Sequence, residues 1–154
     1  HKDIKIKWPN DLYLNDKKLA GILTESIIKG SSVLALIIGF GINLNQETFN
    51  EDIKDIATSL YMDTDQLYDK ALILKQLDNQ LLSDLKLYHQ HPLETIKYCN
   101  KYNYLKNLNI KFNNAHESYI GQALDINEKG QLMVKTKTKL IALNSGEVSL
   151  KRKK

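Results

Sequence analysis

Residues 7–21 read KWPNDLYLNDKKLAG, and this stretch decides how the chain folds at its start. Trp8 is the only tryptophan and Pro9 is one of two prolines. Ile4, Ile6 and Trp8 alternate with polar residues, which predicts a half-buried strand. The proline that follows holds Trp8 in extended backbone. Beyond this stiff corner, Leu12–Leu14 and Leu19–Leu23 flank the turn-rich Asn15-Asp16-Lys17, so a hairpin is predicted. With a two-residue turn at Asn15-Asp16, Tyr13 faces Lys18 and Asp11 faces Ala20. Asp11 and Lys18 are then diagonal neighbours, about 7–8 Å apart at the backbone, close enough to meet or to clamp one ligand. A three-residue turn would separate them. Lys17 faces the other way and reads as a plain surface lysine. Taken alone, an exposed lysine–aspartate pair is an ordinary solvated feature.

A second turn at Lys29–Ser32 leads into Val33–Ile38. That unbroken apolar run predicts a strand buried on both faces, covered most simply by helices. It continues as IGFGINLN, residues 38–45, in which Gly39, Gly41 and Asn43 share one face. Two glycines in succession on a face leave bare backbone for a close approach. Asn43 ends the strip with an amide that both donates and accepts, as a purine edge requires. A bulge or tight helix packing would account for the glycines equally well. No dinucleotide fingerprint is present, since no third glycine or following helix completes one.

From Asn45 to Asp63 the pattern weakens into a long polar loop. Residues 66–88 predict a helix with Leu67, Leu74, Leu77, Leu81, Leu85 and Tyr88 on one face, capped by Asp63 or Asp65. Pro92 closes that region, and residues 94–104 predict a shorter amphipathic helix. After Leu105 the period changes to two. Short strands around Ile110, Tyr119, Leu132 and Leu140 are separated by turn signals at Asn113-Asn114, Lys129-Gly130 and Ser145-Gly146. A small all-β unit therefore follows a boundary near Lys106-Asn107.

Composition excludes several classes. The 154 residues are 42% apolar and 26% charged with mixed sign, which is not a disordered profile. The net charge of +4 owes part of its excess to the tail Lys151–Lys154, weak support for nucleic-acid binding. No apolar run reaches the roughly 20 residues that span a membrane. The one cysteine, Cys99, cannot form an intrachain disulfide and suits a reducing cytoplasm. A strand pattern that begins beside His1 reads as a chain cut within a domain. His89-Gln90-His91 offers two metal-type ligands without an evident third. Tyr98, Tyr102 and Tyr104 with Lys97, Lys101 and Lys106 read as amphipathic packing ahead of a single-strand stacking platform.

KWPNDLYLNDKKLAGILTES, then IIGFGINLN, then ATSL (Ala57–Leu60) and finally GEVSL (Gly146–Leu150) resemble, in order, the catalytic and C-terminal regions of bacterial biotin protein ligases. The resemblance implies an α+β chain: a mixed sheet flanked by helices, of the class II synthetase-like type and incomplete at its N-terminus, over residues 1–106. A small SH3-like β-barrel is implied over 107–154. It implies an enzyme that joins biotin and ATP (as MgATP) into biotinyl-5′-AMP, then transfers biotin to a lysine of the biotin carboxyl carrier domain of acetyl-CoA carboxylase. Lys18 would contact the biotin carboxylate and the adenylate phosphate, and Asp11 would orient the carrier lysine or its partner groups. Asn10 and Asn43 match adenylate-contacting positions. Gly21, Leu23, Gly39 and Gly41 match the biotin pocket. Trp8 would pack behind the corner. A cytoplasmic location and a homodimer also belong to this expectation; a metal site and a membrane do not. The family's glycine- and arginine-rich adenylation loop and its biotin-holding Ser-Thr-Asn or Ser-Thr-Gln segment are absent from the sequence, so the chain by itself is expected to be inactive. A lipoate ligase relative, or a non-catalytic binding module, are the alternatives.

Overall fold

The computed structural model describes residues 3–114 and 117–144, and the backbone of 148–150. His1, the Ser145-Gly146 turn, the start of GEVSL and the basic tail lie outside the described residues. In chain order the elements are β1 (Lys5–Lys7), β2 (Asp11–Leu14), β3 (Lys17–Lys29), β4 (Ser32–Ile42), α1 (Leu60–Thr64), α2 (Lys70–Gln90), α3 (Pro92–Lys101), β5 (Asn109–Asn114), β6 (Glu117–Ile126), β7 (Leu132–Lys135), β8 (Leu140–Leu143) and β9 (Val148–Leu150). The architecture is α+β. The chain divides into two compact units, His1–Ile4 with Asn10–Ile73, and Lys5–Pro9 with Leu74–Lys154.

In the first unit, β2, β3 and β4 form a continuous antiparallel ladder. Its core is small: Leu14, Leu19 and Ala20 are buried, with Ile4, Leu12, Ile42 and Leu60 packed around them. The far half of the β3–β4 hairpin corrects the expectation of burial on both faces. Val33, Leu34, Leu36 and Ile37 are all exposed, Leu36 to 62%. The apolar run made the strand, but its ladder partner is the equally exposed Ile27–Ile28 arm of β3, and backbone pairing covers neither face.

In the second unit, β8-β7-β6-β5-β9 make a five-stranded antiparallel sheet. Its core holds Leu105, Ile110, Phe112, Ala123, Ile126, Leu132, Val134 and Leu143. Trp8 is buried in the same cluster, and its indole N–H donates to the carbonyl of Gly130 at 3.0 Å. Gly130 turns the β6–β7 connection at φ 76°, the left-handed conformation that glycine adopts without steric cost. Trp8-Pro9 is a cis peptide bond. Isolated parallel bridges, Ile6 with Asn103 and Lys18 with Ala57, add to the antiparallel ladders.

Local chemistry shifted several boundaries. The long helix begins at Lys70, because the Asp69 carboxylate accepts from the backbone N–H groups of Ala71 and Leu72. Asp65 instead ends α1 in the left-handed region. None of the α2 residues is fully buried: Leu77 and Leu81 of its leucine stripe are half-buried, while Leu74 and Leu85 are exposed. Pro92 opens α3, where its missing N–H costs nothing. Asn113 and Asn114 are the last residues of β5, so they are strand and not the turn expected there. No helix among the described residues is long and apolar enough to cross a membrane.

Candidate functional site

Asn15 and Asp16 have φ of 49° and 63°, positive at both turn positions as a type I′ hairpin needs. Tyr13 pairs with Lys18 as expected, but Asp11 faces Gly21 and not Ala20. The cause is a β-bulge opposite Leu12 and Tyr13. The extra residue on β3 is Leu19, whose side chain is buried in the small core. The bulge preserves the diagonal meeting. Lys18 Nζ lies 2.6 Å from Asp11 Oδ1, with the lysine side chain 48% and the aspartate side chain 15% exposed.

Gly21 is what lets this pair sit where it does. A β-carbon there would lie 3.3 Å from Asp11 Oδ1 and 3.3 Å from both Cε and Nζ of Lys18. Gly21 pairs with Gly41, and Leu23 pairs with Gly39. Cross-strand partners share a face, so Asp11, Gly21 and Gly41 form one row over three strands, with Leu23 and Gly39 in the next. Added β-carbons at Gly39 and Gly41 would meet nothing nearer than a backbone oxygen at 3.9 Å. The register runs unbroken there, so neither a bulge nor tight packing explains these glycines. The strip is open backbone beside a charged pair, with exposed Leu23 as an apolar edge.

Both predicted asparagines are held by backbone. Asn10 Nδ2 donates to Ile22 O at 2.8 Å while Ile22 N donates to Asn10 O. Asn43 Nδ2 donates to Thr58 O at 3.0 Å. One amide hydrogen of each is thereby used on a carbonyl, which fixes the amide plane.

Sequence reasoning missed the next layer. The residues 56–58 run beside the start of β3: Lys18 N donates to Ile56 O at 2.8 Å and Thr58 N donates to Lys18 O at 2.9 Å. Ala57, Thr58 and Ser59 are buried. Ser59 caps α1 by accepting from Met62 N, and its hydroxyl donates to Gln46 O. A serine directly before Leu60 was the available signal, a helix N-cap residue ahead of an apolar position. The polar loop is likewise tied by turns at 50–57 and by Lys17 Nζ, which donates to Lys54 O at 2.9 Å. Lys17 is therefore not the plain surface lysine expected.

The weaker signals fall elsewhere. Among the described residues no group of three or more His, Cys, Asp or Glu is placed to hold a metal. Burial pushes the Cys99 thiol up, away from reactivity. The Tyr98 and Tyr102 rings meet tilted at 50° with their centres 4.8 Å apart, and Lys101 Nζ lies 5.1 Å from the Tyr102 ring centre.

A model of the biotin/lipoate A/B protein ligase family matches residues 1–43, which hold the whole Asp11–Lys18–glycine constellation. The bifunctional ligase/repressor BirA of Bacillus subtilis is 32% identical over 148 residues, covering 94% of this chain and 46% of that protein. The biotin protein ligase of Aquifex aeolicus, solved in complex with biotin and ATP, superposes with a TM-score of 0.82 at 30% identity, covering 97% of this chain and 62% of that one. The chain is similar to biotin protein ligases over nearly all of its length. It spans about half the length of the curated relatives it matches. Similarity to the biotin–[acetyl-CoA-carboxylase] ligase of Paracoccus denitrificans rises to 54% identity over 41 residues, 27% of this chain and 17% of that ligase. The likeness to biotin protein ligases thus takes in the hairpin and glycine strip together with the all-β unit.

Proposed function

We propose that this chain supplies the lysine-bearing part of an ATP-dependent biotin protein ligase site. The ligase forms biotinyl-5′-AMP from biotin and MgATP and passes biotin to a lysine of the biotin carboxyl carrier domain of acetyl-CoA carboxylase, in the cytoplasm. The observation that carries this reading is the Lys18–Asp11 pair, lying over Gly21 beside an open strip of glycine backbone.

Each residue has a role in the proposal. The Lys18 ammonium offsets negative charge that builds between the biotin carboxylate and the α-phosphate in both half-reactions. Asp11 holds that ammonium in place and then orients the incoming carrier lysine. Asn10 and Asn43 present amides, each fixed by a carbonyl, to the adenylate. Gly21, Gly39 and Gly41 give the ureido ring bare backbone, and Leu23 gives the thiophane an apolar wall. The divalent cation arrives with ATP as part of the substrate. Residues 1–106 belong to the catalytic domain and 107–154 to the β-barrel, a division supported by the start of β5 at Asn109.

The test is label transfer. The full-length ligase containing this chain, given labelled biotin and ATP, should label a purified carrier domain. Transfer of lipoate in place of biotin would overturn the reading.

A second outcome concerns residues 46–55, exposed over most of their length and next to Asn43. A covering loop protects an activated anhydride from water. Amide exchange across this loop should slow in the full-length ligase when biotinyl-5′-AMP is added. Unchanged exchange would show that the loop does not close over the nucleotide.

A further inference from the structure

Three pieces of chain meet around the backbone of Lys18, and their hydrogen bonds close a ring. Asn43 N donates to Leu19 O at 3.0 Å and Asn43 Nδ2 donates to Thr58 O at 3.0 Å. Thr58 N donates to Lys18 O, and Lys18 N donates to Ile56 O. On its other edge Lys18 pairs with Tyr13 in the hairpin ladder. The residues 56–58 thus act as an extra strand, and the lysine backbone is fixed from both sides.

Ser59 anchors the C-terminal end of that strand, beside the backbone bonds from Leu60 N to Asn43 O and from Tyr61 N to Leu44 O. It is fully buried, at 0% exposure. Its hydroxyl donates to Gln46 O and accepts from Met62 N, which joins the two ends of the 46–59 loop and starts α1. Lys17 adds an outer tie to the same loop through Lys54 O. None of these bonds touches the glycine strip; Ser59 reaches the Lys18 peptide through Thr58, its neighbour in the chain.

We propose that Ser59 is a positioning residue for Lys18, within the biotin ligase reading above on which this inference rests. By locking the 56–58 strand it sets the Lys18 backbone, and so the place where Nζ meets Asp11 and the reacting carboxylate. A displacement of about 1 Å at a catalytic group can cost on the order of a hundred-fold in rate. A slackened strand with its other bonds intact should cost less, roughly tenfold.

The experiment is a double-mutant cycle in the full-length ligase, read by single-turnover formation of biotinyl-5′-AMP. Ser59→Ala should lower the rate roughly tenfold with little change in KM for biotin, and Ser59→Thr, which keeps the hydroxyl, should restore it. In a Lys18→Ala background the same Ser59→Ala change should alter the residual rate by less than about twofold, because the group it positions is gone. An equal loss in both backgrounds would overturn the proposal, since it would mean that Ser59 supports the fold and not the lysine. Where Ser59→Ala does not yield folded protein, Lys17→Met loosens the same loop from outside and must show the same dependence on Lys18; additivity there also overturns it. The two failures separate cleanly. Absence of biotin adenylation by the unmodified ligase overturns the functional reading and this inference together. Biotin adenylation with an additive cycle overturns only the role of Ser59.

Discussion

Lys18→Ala in the full-length ligase should slow both adenylate formation and biotin transfer by on the order of a hundred-fold or more while leaving the melting temperature nearly unchanged. Two magnitudes decide this. The Lys18–Asp11 pair is half open to solvent on the lysine side, and exposed pairs are typically worth about 0–1 kcal/mol of stability. A cation set against developing negative charge in a site that closes to water is worth roughly 3–4 kcal/mol, by analogy with loss of one oxyanion donor, and each 1.4 kcal/mol or so is a factor of ten in rate. The comparison lysine should be Lys29, at the far end of the β3–β4 hairpin, where Lys29→Ala should change neither rate nor stability. Lys17 is a poor comparison despite its adjacency, because its ammonium ties the 50–57 turns. Rate and melting curves of the two variants are the measurements. Equal effects of Lys18→Ala and Lys29→Ala would remove the lysine from the mechanism.

The second large effect falls on stability, in the all-β unit. Gly121→Ala should lower the melting temperature of the chain by roughly 10 °C. Gly121 pairs with Ile110 in the β5–β6 ladder. A β-carbon there would sit 2.6 Å from Val134 Cγ1 and 2.8 Å from Lys135 O. The second of these is backbone oxygen on β7, so it cannot step aside as a side chain would. Overpacking of this kind costs typically about 1–3 kcal/mol, and the involvement of backbone puts it toward the upper end. Gly39→Ala is the control, since its β-carbon meets only Leu23 O at 3.9 Å, and should melt like the parent chain. Thermal unfolding followed by far-UV circular dichroism compares them. A Gly121→Ala chain that melts with the parent would mean that β6 and β7 are not packed this closely.

Much of this arrangement was legible in the residues. Period-two alternation found the all-β unit, and a two-residue turn at Asn15-Asp16 put Asp11 and Lys18 within reach of each other. The bulge was not legible, because nothing in the spelling of Asp11–Gly21 says that Leu19 should be inserted as an extra core residue; only the small core around Leu14 decides it. Val33–Ile38 misled for a related reason. An apolar run specifies a strand, but what covers the strand is set by other segments, and the described chain leaves it exposed. The start of α2 slipped because three aspartates, Asp63, Asp65 and Asp69, compete as caps, and the winner is fixed by the hold of Asn45 on both backbone groups of Tyr68. Thr58 and Ser59 lay inside a recognised motif, yet their bonds to Asn43 and Gln46 cross 13 to 15 residues of sequence. Local patterns do not encode such pairings.

The most direct test of the central claim is exchange of labelled pyrophosphate into ATP by the full-length ligase, run with biotin, with lipoate and with neither. Exchange that requires biotin and collapses in Lys18→Ala is the result predicted. Exchange supported by lipoate alone, or undiminished without the Lys18 ammonium, would contradict the account.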